Sequence, residues 1–241
     1  MQALVIQPDE EELPGLVGAA LVERGFSLDT YVIQPDLHRP EGSADFPPLG
    51  SHDLIVITGS PWSVYDEPIA AWVEPLLDHL RDAVARDVPL LGICFGAQAM
   101  SAALGGVVTK GVASEFGWYS IDSKEPALCG PWFEFHQDVF TVPDGATELG
   151  RTAVGPQAFS VGRSLAVQFH PEIDSEQLLR WYESGEEGRL QHAGFDTVAA
   201  LEQTRHLESD ARHRVGLLVD WFLTRVAKLD PSGDVRTHMT W

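Results

Sequence analysis

Cysteine is scarce: the 241 residues hold two, Cys94 and Cys129. Two thiols cannot make a disulfide framework, and a reducing compartment leaves both free. Positive charge is scarce as well. Lys and Arg total 16 against 36 Asp and Glu, a formal net charge of −20, and a field of that sign repels polyanions and favours solubility. Nucleic acid and anionic membrane surfaces are therefore not expected partners. No apolar run approaches the length that spans a bilayer, and the opening "MQALVIQPDEEELPG" has neither the basic n-region nor the continuous apolar h-region of a secretory signal. The expected location is the cytoplasm. The nine histidines are scattered with no Cys/His pair at zinc-ligand spacing, and His206 and His213 fall in a charged segment that reads as a solvated helix face. No metal and no cofactor are expected.

What is present is enough for a large core, with 44% of the residues hydrophobic and a length that fits one domain. "ALVIQ" reads as a strand and "LPGLVGAALVERG" as a helix, with Leu13, Leu16, Val17, Ala20 and Leu21 at helical spacing and Gly25 as its stop. The order repeats through "LDTYVI", "DLIVITG", a helix over Ile69 to Arg86, and "VPLLGI". Strands apolar on both faces, alternating with helices, imply a mainly parallel sheet covered by helices. After Gly106 the runs "GVVTK", "FGWYSID", "WFEF", "AFSVG" and "LAVQFH", separated by Gly and Pro, suggest an antiparallel extension. Beyond Pro171 the chain turns helical, and Leu207, Ala211, Val215, Leu218, Phe222 and Val226 mark one face of a long final helix. The glycine-containing "GEEGRLQHAG" is the candidate hinge before it, and the tail from Pro231 is expected to fray.

"LLGICFGAQAMSAALGG" carries the candidate chemistry. A strand ending at Ile93 and a helix starting near Phe95 put Cys94 on a tight turn at the carboxyl edge of the sheet, where open α/β folds place ligands. Gly92 and Gly96 make G-x-C-x-G, the thiol counterpart of the nucleophile elbow. A helix amino terminus favours thiolate over thiol. The Phe95 N–H, with that of Gly59 in "VITGSPWSVYD", would supply an oxyanion hole. The bland alternative is a small buried residue that helps a helix pack. A base is offered by "LAVQFHPEID", where His170 leaves a strand-like run and Glu172 can orient it. "FEFHQDVF" offers a rival, His136 with Asp138 two residues on. Spacing does not choose between the pairs; His170 is preferred because it ends the clearer core strand.

"GICFGAQ" followed downstream by "QFHPE" resembles the class I (triad) glutamine amidotransferases, in particular the stand-alone subgroup similar to the amidotransferase part of GMP synthetase. The resemblance runs from the first strand to about Asp174. It implies a flavodoxin-like α/β sheet, Cys94 as nucleophile, His170 as base and acid, Glu172 as its partner, and Gly59 and Phe95 as oxyanion donors. It further implies that Gln98 binds substrate, that Trp118 and Tyr119 of "SEFGWYSID" line the pocket, and that His136 lies near the site without being its base. Residues 1–174 are then the amidotransferase domain and 175–241 a helical extension packed on it.

Two positions depart from the family pattern: Ala97 stands where histidine is frequent, and "TGSP" has Ser60 where a second glycine is usual. No G-x-x-x-x-G-K-[ST] loop is present, so an ammonia-using synthetase would be a separate partner. The expected activity is release of ammonia from glutamine through a Cys94 thioester. The alternatives are a γ-glutamyl peptidase or hydrolase acting on small γ-glutamyl compounds, and a catalytically silent binding or regulatory protein of the same fold. A homodimer is compatible with the amphipathic C-terminal stripe.

Overall fold

The structure, a computed structural model, describes residues 1–34, 42 and 44–229. The tail expected to fray lies outside the described residues. The chain opens β1 (Gln2–Gln7), α1 (Gly15–Glu23), β2 (Ser27–Val32), β3 (Leu54–Ile57), α2 (Ala70–Ala85), β4 (Leu90–Ile93) and α3 (Phe95–Ala103). Strands β5 (Val108–Ser123), β6 (Gly130–Phe140), β7 (Thr147–Arg151), β8 (Pro156–Val161) and β9 (Ser164–Val167) follow without an intervening α-helix. The chain then runs through α4 (Ser175–Trp181), α5 (Glu187–His192) and α6 (Thr197–Trp221), which continues as a π-helical turn over Phe222–Val226.

All nine strands join in the order β2-β1-β3-β4-β9-β8-β7-β5-β6. The first five pair in parallel, which is the flavodoxin-like order with β9 as its fifth strand. The remaining four extend it in antiparallel fashion. Two features of this extension differ from expectation. "GVVTK" and "FGWYSID" lie on one long strand, β5, whose register against β6 shifts between Lys110 and Glu115. Strand β7 carries no apolar alternation, and its place comes from pairing with β8.

Period-two alternation divides the parallel strands between two cores. Ala3, Leu54, Val56, Leu91 and Ile93 point to the side covered by Leu16, Val17 and Leu21 of α1 and by Val215, Leu218 and Phe222. Leu4, Ile6, Ile55, Ile57 and Leu90 point to the side covered by Trp72, Leu76 and Leu80 of α2 and Met100 of α3. The C-terminal helix therefore shares one core with the sheet. Its apolar stripe, Leu207 apart, is buried, and Arg24 at the end of α1 clasps Asp220 at 2.6 and 2.8 Å. His206 and His213 on its outer face are exposed. No helix among the described residues is long and apolar enough to cross a membrane.

Candidate active site

Strand β4 is buried on both faces and stops at Ile93; one residue later the chain is helical. Cys94 makes the turn at φ 48° and ψ −103°, outside the regions that side chains occupy without strain. Its N–H donates to the Val167 carbonyl at 2.8 Å and its carbonyl accepts from the Gln98 N–H at 3.0 Å, so β9 and α3 hold the turn in place. Gly96 is required by packing: a Cβ there would overlap the Ile57 carbonyl of β3. Cys94 as a whole is 5% exposed. Gln168 approaches it, with Nε2 at 3.5 Å from Sγ, while Gln168 Oε1 accepts from Gln98 Nε2 at 3.2 Å. Phe95 begins α3 and is fully buried.

His170 lies three residues beyond the end of β9, not on it. Its position is set by an isolated bridge in which its N–H donates to the Phe133 carbonyl at 2.7 Å, and its ring stands edge-on to Trp181. Nδ1 is 2.6 Å from Glu172 Oε1, and both side chains are nearly inaccessible. Nε2 has no hydrogen-bond partner among the described residues. Burial disfavours the imidazolium, but the Glu172 carboxylate and the Cys94 sulfur outweigh it and raise the pKa of His170 well above its ordinary value. Glu172 is anchored from the opposite side of the sequence: its carbonyl accepts from the Leu16 N–H at 2.8 Å. Gly59, after β3, stands against the same ring, since a Cβ there would lie 3.2 Å from His170 Cε1 and 2.8 Å from Glu12 Oε2.

Cys94, Gln98, His136 and His170 line one cleft of about 460 Å³. His136 is not close to Glu172; it belongs to a separate network. Its Nδ1 is 2.9 Å from the Asp138 carbonyl, and Nε2 is 3.2 Å from Glu115 and 3.3 Å from Glu134. The donor atoms of these three residues lie close enough together to hold a metal ion. However, Glu115 Oε2 already accepts from Thr152 and Gln157 at 3.0 Å, and both ring nitrogens of His136 face acceptors, as an imidazolium requires. Burial opposes that charge, yet the two carboxylates push the pKa of His136 up to about 10.

Trp118 and Tyr119 do not line this cleft. The long strand passes the cleft at Ser114, Glu115 and Phe116. By Trp118 it has reached α6, where the indole donates to Thr204 Oγ1 at 3.0 Å, and Tyr119 is 36% exposed. Asp9 and Glu12, buried on the loop after β1, and the wall built from Trp181, Ser184, Arg189 and Phe195 are not among the residues expected from the sequence. The edge rule that singles out Cys94 applies to β1 as well, and would have marked the first pair.

The glutamine amidotransferase class-I family model matches residues 16–179. The chain is 35% identical over 130 residues to a GMP synthase [glutamine-hydrolyzing] of Thermobifida fusca, covering 49% of this chain and 23% of that one. It is 34% identical over 131 residues to the enzyme of the same description from Symbiobacterium thermophilum, covering 49% and 24%. The chain thus matches about a quarter of the length of these relatives. A crystal structure described as a glutamine amidotransferase from Thermotoga maritima has the same fold, with a TM-score of 0.81 at 23% identity over 92% of this chain and 98% of that one. One from Methylobacillus flagellatus gives 0.76 at 23% identity over 98% of each. With the matched span extending from α1 through the elbow and the His170–Glu172 pair, the chain belongs to the class I glutamine amidotransferases.

Proposed function

We propose that the chain hydrolyses the side-chain amide of glutamine, or a γ-glutamyl amide of similar shape, through a thioester on Cys94. The observation that carries this reading is a buried cysteine at positive φ on a strand-to-helix turn, in one cleft with a histidine whose Nδ1 is 2.6 Å from a carboxylate. His170 Nε2 takes the thiol proton, and the sulfur attacks the amide carbon. Negative charge develops on the carbonyl oxygen against the N–H groups of Gly59 and Phe95. Protonated His170 returns its proton to the leaving nitrogen; a water that it then deprotonates releases the glutamyl acid. Glu172 holds the ring in the tautomer that presents Nε2. Gln98, with Gln168 behind it, is assigned to substrate binding, and His136 to the shape and charge of the cleft wall. The description of the relatives as glutamine-hydrolysing GMP synthases supports glutamine as a substrate and a synthetase as the taker of ammonia.

The test is ammonia release from glutamine by the purified chain, alongside γ-glutamyl amides. Cys94→Ser is expected to lower kcat/KM by about 10⁴-fold or more. Covalent capture of Cys94 by a glutamine-like electrophile should survive His136→Ala and be lost in His170→Ala; the reverse result would transfer the base to His136. Absence of both capture and ammonia release from the unsubstituted chain would leave the catalytically silent reading.

A further inference from the structure

Six carboxylate side chains line the cleft: Asp9, Glu11, Glu12, Glu115, Asp138 and Glu186. Four of them have counter-groups. Glu11 faces Arg180 at 3.8 Å, Glu115 faces His136, Asp138 accepts from Tyr65 Oη at 2.8 Å, and Glu186 pairs with Arg189. Asp9 and Glu12 have no paired side chain of this kind, although the His170 ring beside Glu12 offsets part of its charge. Asp9 is 1% exposed; its Oδ1 accepts from the Glu11 N–H at 2.9 Å, and its Oδ2 has no partner. No side-chain hydrogen bond or salt bridge reaches the carboxyl of Glu12 among the described residues, and that carboxyl flanks the same point beside Gly59 as the His170 ring.

We infer that the leaving-group side of the cleft is built for an amine carrying a second, cationic nitrogen, so that the substrate class is a γ-glutamyl diamine or polyamine anchored by Asp9 and Glu12. The inference rests on the function proposed above and names its substrate class. The side is fixed by the chemistry: the departing nitrogen takes its proton from His170 as the C–N bond breaks, water supplies the hydroxyl to the acyl carbon, and Glu12 stands next to His170. Room is available. Glutamine's ten heavy atoms fill at most about 300 Å³, taking the roughly 30 Å³ that each molecule of liquid water occupies, and the cleft holds about 460 Å³.

Buried carboxyls without partners are costly, and a bound cation removes that cost. Burial, with the repulsion of neighbouring carboxylates, pushes Asp9 up to about 6 and Glu12 well above the ordinary range. An ammonium between them would offset that cost and favour the ionised form of both. The net charge of −20 further concentrates cations, and not anions, at the cleft mouth.

Three γ-glutamyl amides of equal length separate this from other readings: mono-γ-glutamyl-1,4-diaminobutane, γ-glutamylpentylamine with a methyl in place of the ammonium, and γ-glutamyl-4-aminobutyrate with a carboxylate there. The expected kcat/KM for the diamine exceeds that for the alkylamine by about tenfold or more, with the carboxylate lowest. Asp9→Asn with Glu12→Gln should bring the diamine-to-alkylamine ratio to within about threefold. A ratio near one in the unsubstituted chain overturns the inference. So does an equal loss on all three substrates in the variants, because the carboxyls would then hold the glutamyl α-ammonium that all three share. Should the double variant fail to fold by circular dichroism, the ratio in the unsubstituted chain and in each single variant decides. Turnover of glutamine without a preference for the diamine sinks this inference alone; no turnover of any amide, with Cys94 unlabelled, sinks the proposed function and this inference together.

Discussion

Asp9 sets stability against use at a single side chain. An acid whose folded pKa is raised contributes stability below its unfolded value and loses it as pH climbs through the folded one. For Asp9 that window runs from 3.8 to about 6, so at neutral pH the ionised carboxylate is a burden on the unliganded fold. Asp9→Asn should remove it. The expected gain at pH 7.5 is on the order of 2 kcal/mol, or a rise in Tm of roughly 4–8 °C, read by calorimetry at pH 7.5 and vanishing toward pH 4. The neighbouring sequence "PDEEELPG" shows why such a residue is hard to read: Asp9 and Glu12 are buried, Glu10 is exposed and Glu11 lies between. Composition cannot tell them apart, because their burial is decided by a loop that dips beside Gly59. Cys94 was legible for the contrary reason. Its two flanking glycines are demanded by close approaches, of Gly92 to the Gly96 backbone within the turn and of Gly96 to the Ile57 carbonyl of β3, and both leave a mark in the local sequence.

Elements carry the second set of consequences. The first turn of α1 and the loop bearing Glu172 meet at Gly15, which has φ +40° and where a Cβ would overlap the Glu172 carbonyl. Gly15→Ala should therefore push the His170–Glu172 loop away from Cys94, lowering kcat by about tenfold or more as well as Tm. Leu218 on α6 is buried in the core shared with the sheet. Leu218→Ala is expected to cost about 2–5 kcal/mol and to lower Tm by roughly 5–15 °C, while the proposed electrophile still labels Cys94 at temperatures below the transition.

Across β5 and β6, Glu115 is the register partner of His136. Because the histidine pKa is raised from 6.5 to about 10, its stabilising contribution is complete below 6.5 and lost as pH rises through 10. The Tm gap between the chain and His136→Gln should narrow over that interval in a thermal melt series. These same strands mark the limit of sequence reading. "SEFGWYSID" shows strand character, but which part of a sixteen-residue strand faces the cleft depends on where α6 lies against it. The resemblance placed Trp118 and Tyr119 in the pocket; the strand presents Glu115 and Phe116 there instead.

At the scale of the molecule, the excess of 20 negative charges acts on the compact state as self-repulsion. Raising ionic strength from 0.01 to 0.15 M shortens the screening length from about 30 to about 8 Å; Tm at pH 7.5 should rise by a few degrees in sodium chloride, and an unchanged Tm would show the charges to be well dispersed. Alternating buried strands and helices announced the layered α/β class. The strand order was not in that pattern, since β9 reaches the middle of the sheet from far downstream only through pairing with β4, Leu90 against Ser164. The cleft, too, is divided along the chain. Its chemistry lies inside the stretch that the family shares, residues 16–179, whereas Ser184, Arg189 and Phe195 on one wall come after that stretch has ended. Groups that shape the cleft thus stand on both sides of the segment that carries the elbow, Asp9 and Glu12 before it and this wall after it, so that a graft of residues 182–196 between relatives would remodel one wall while leaving Cys94 and the acidic pair untouched.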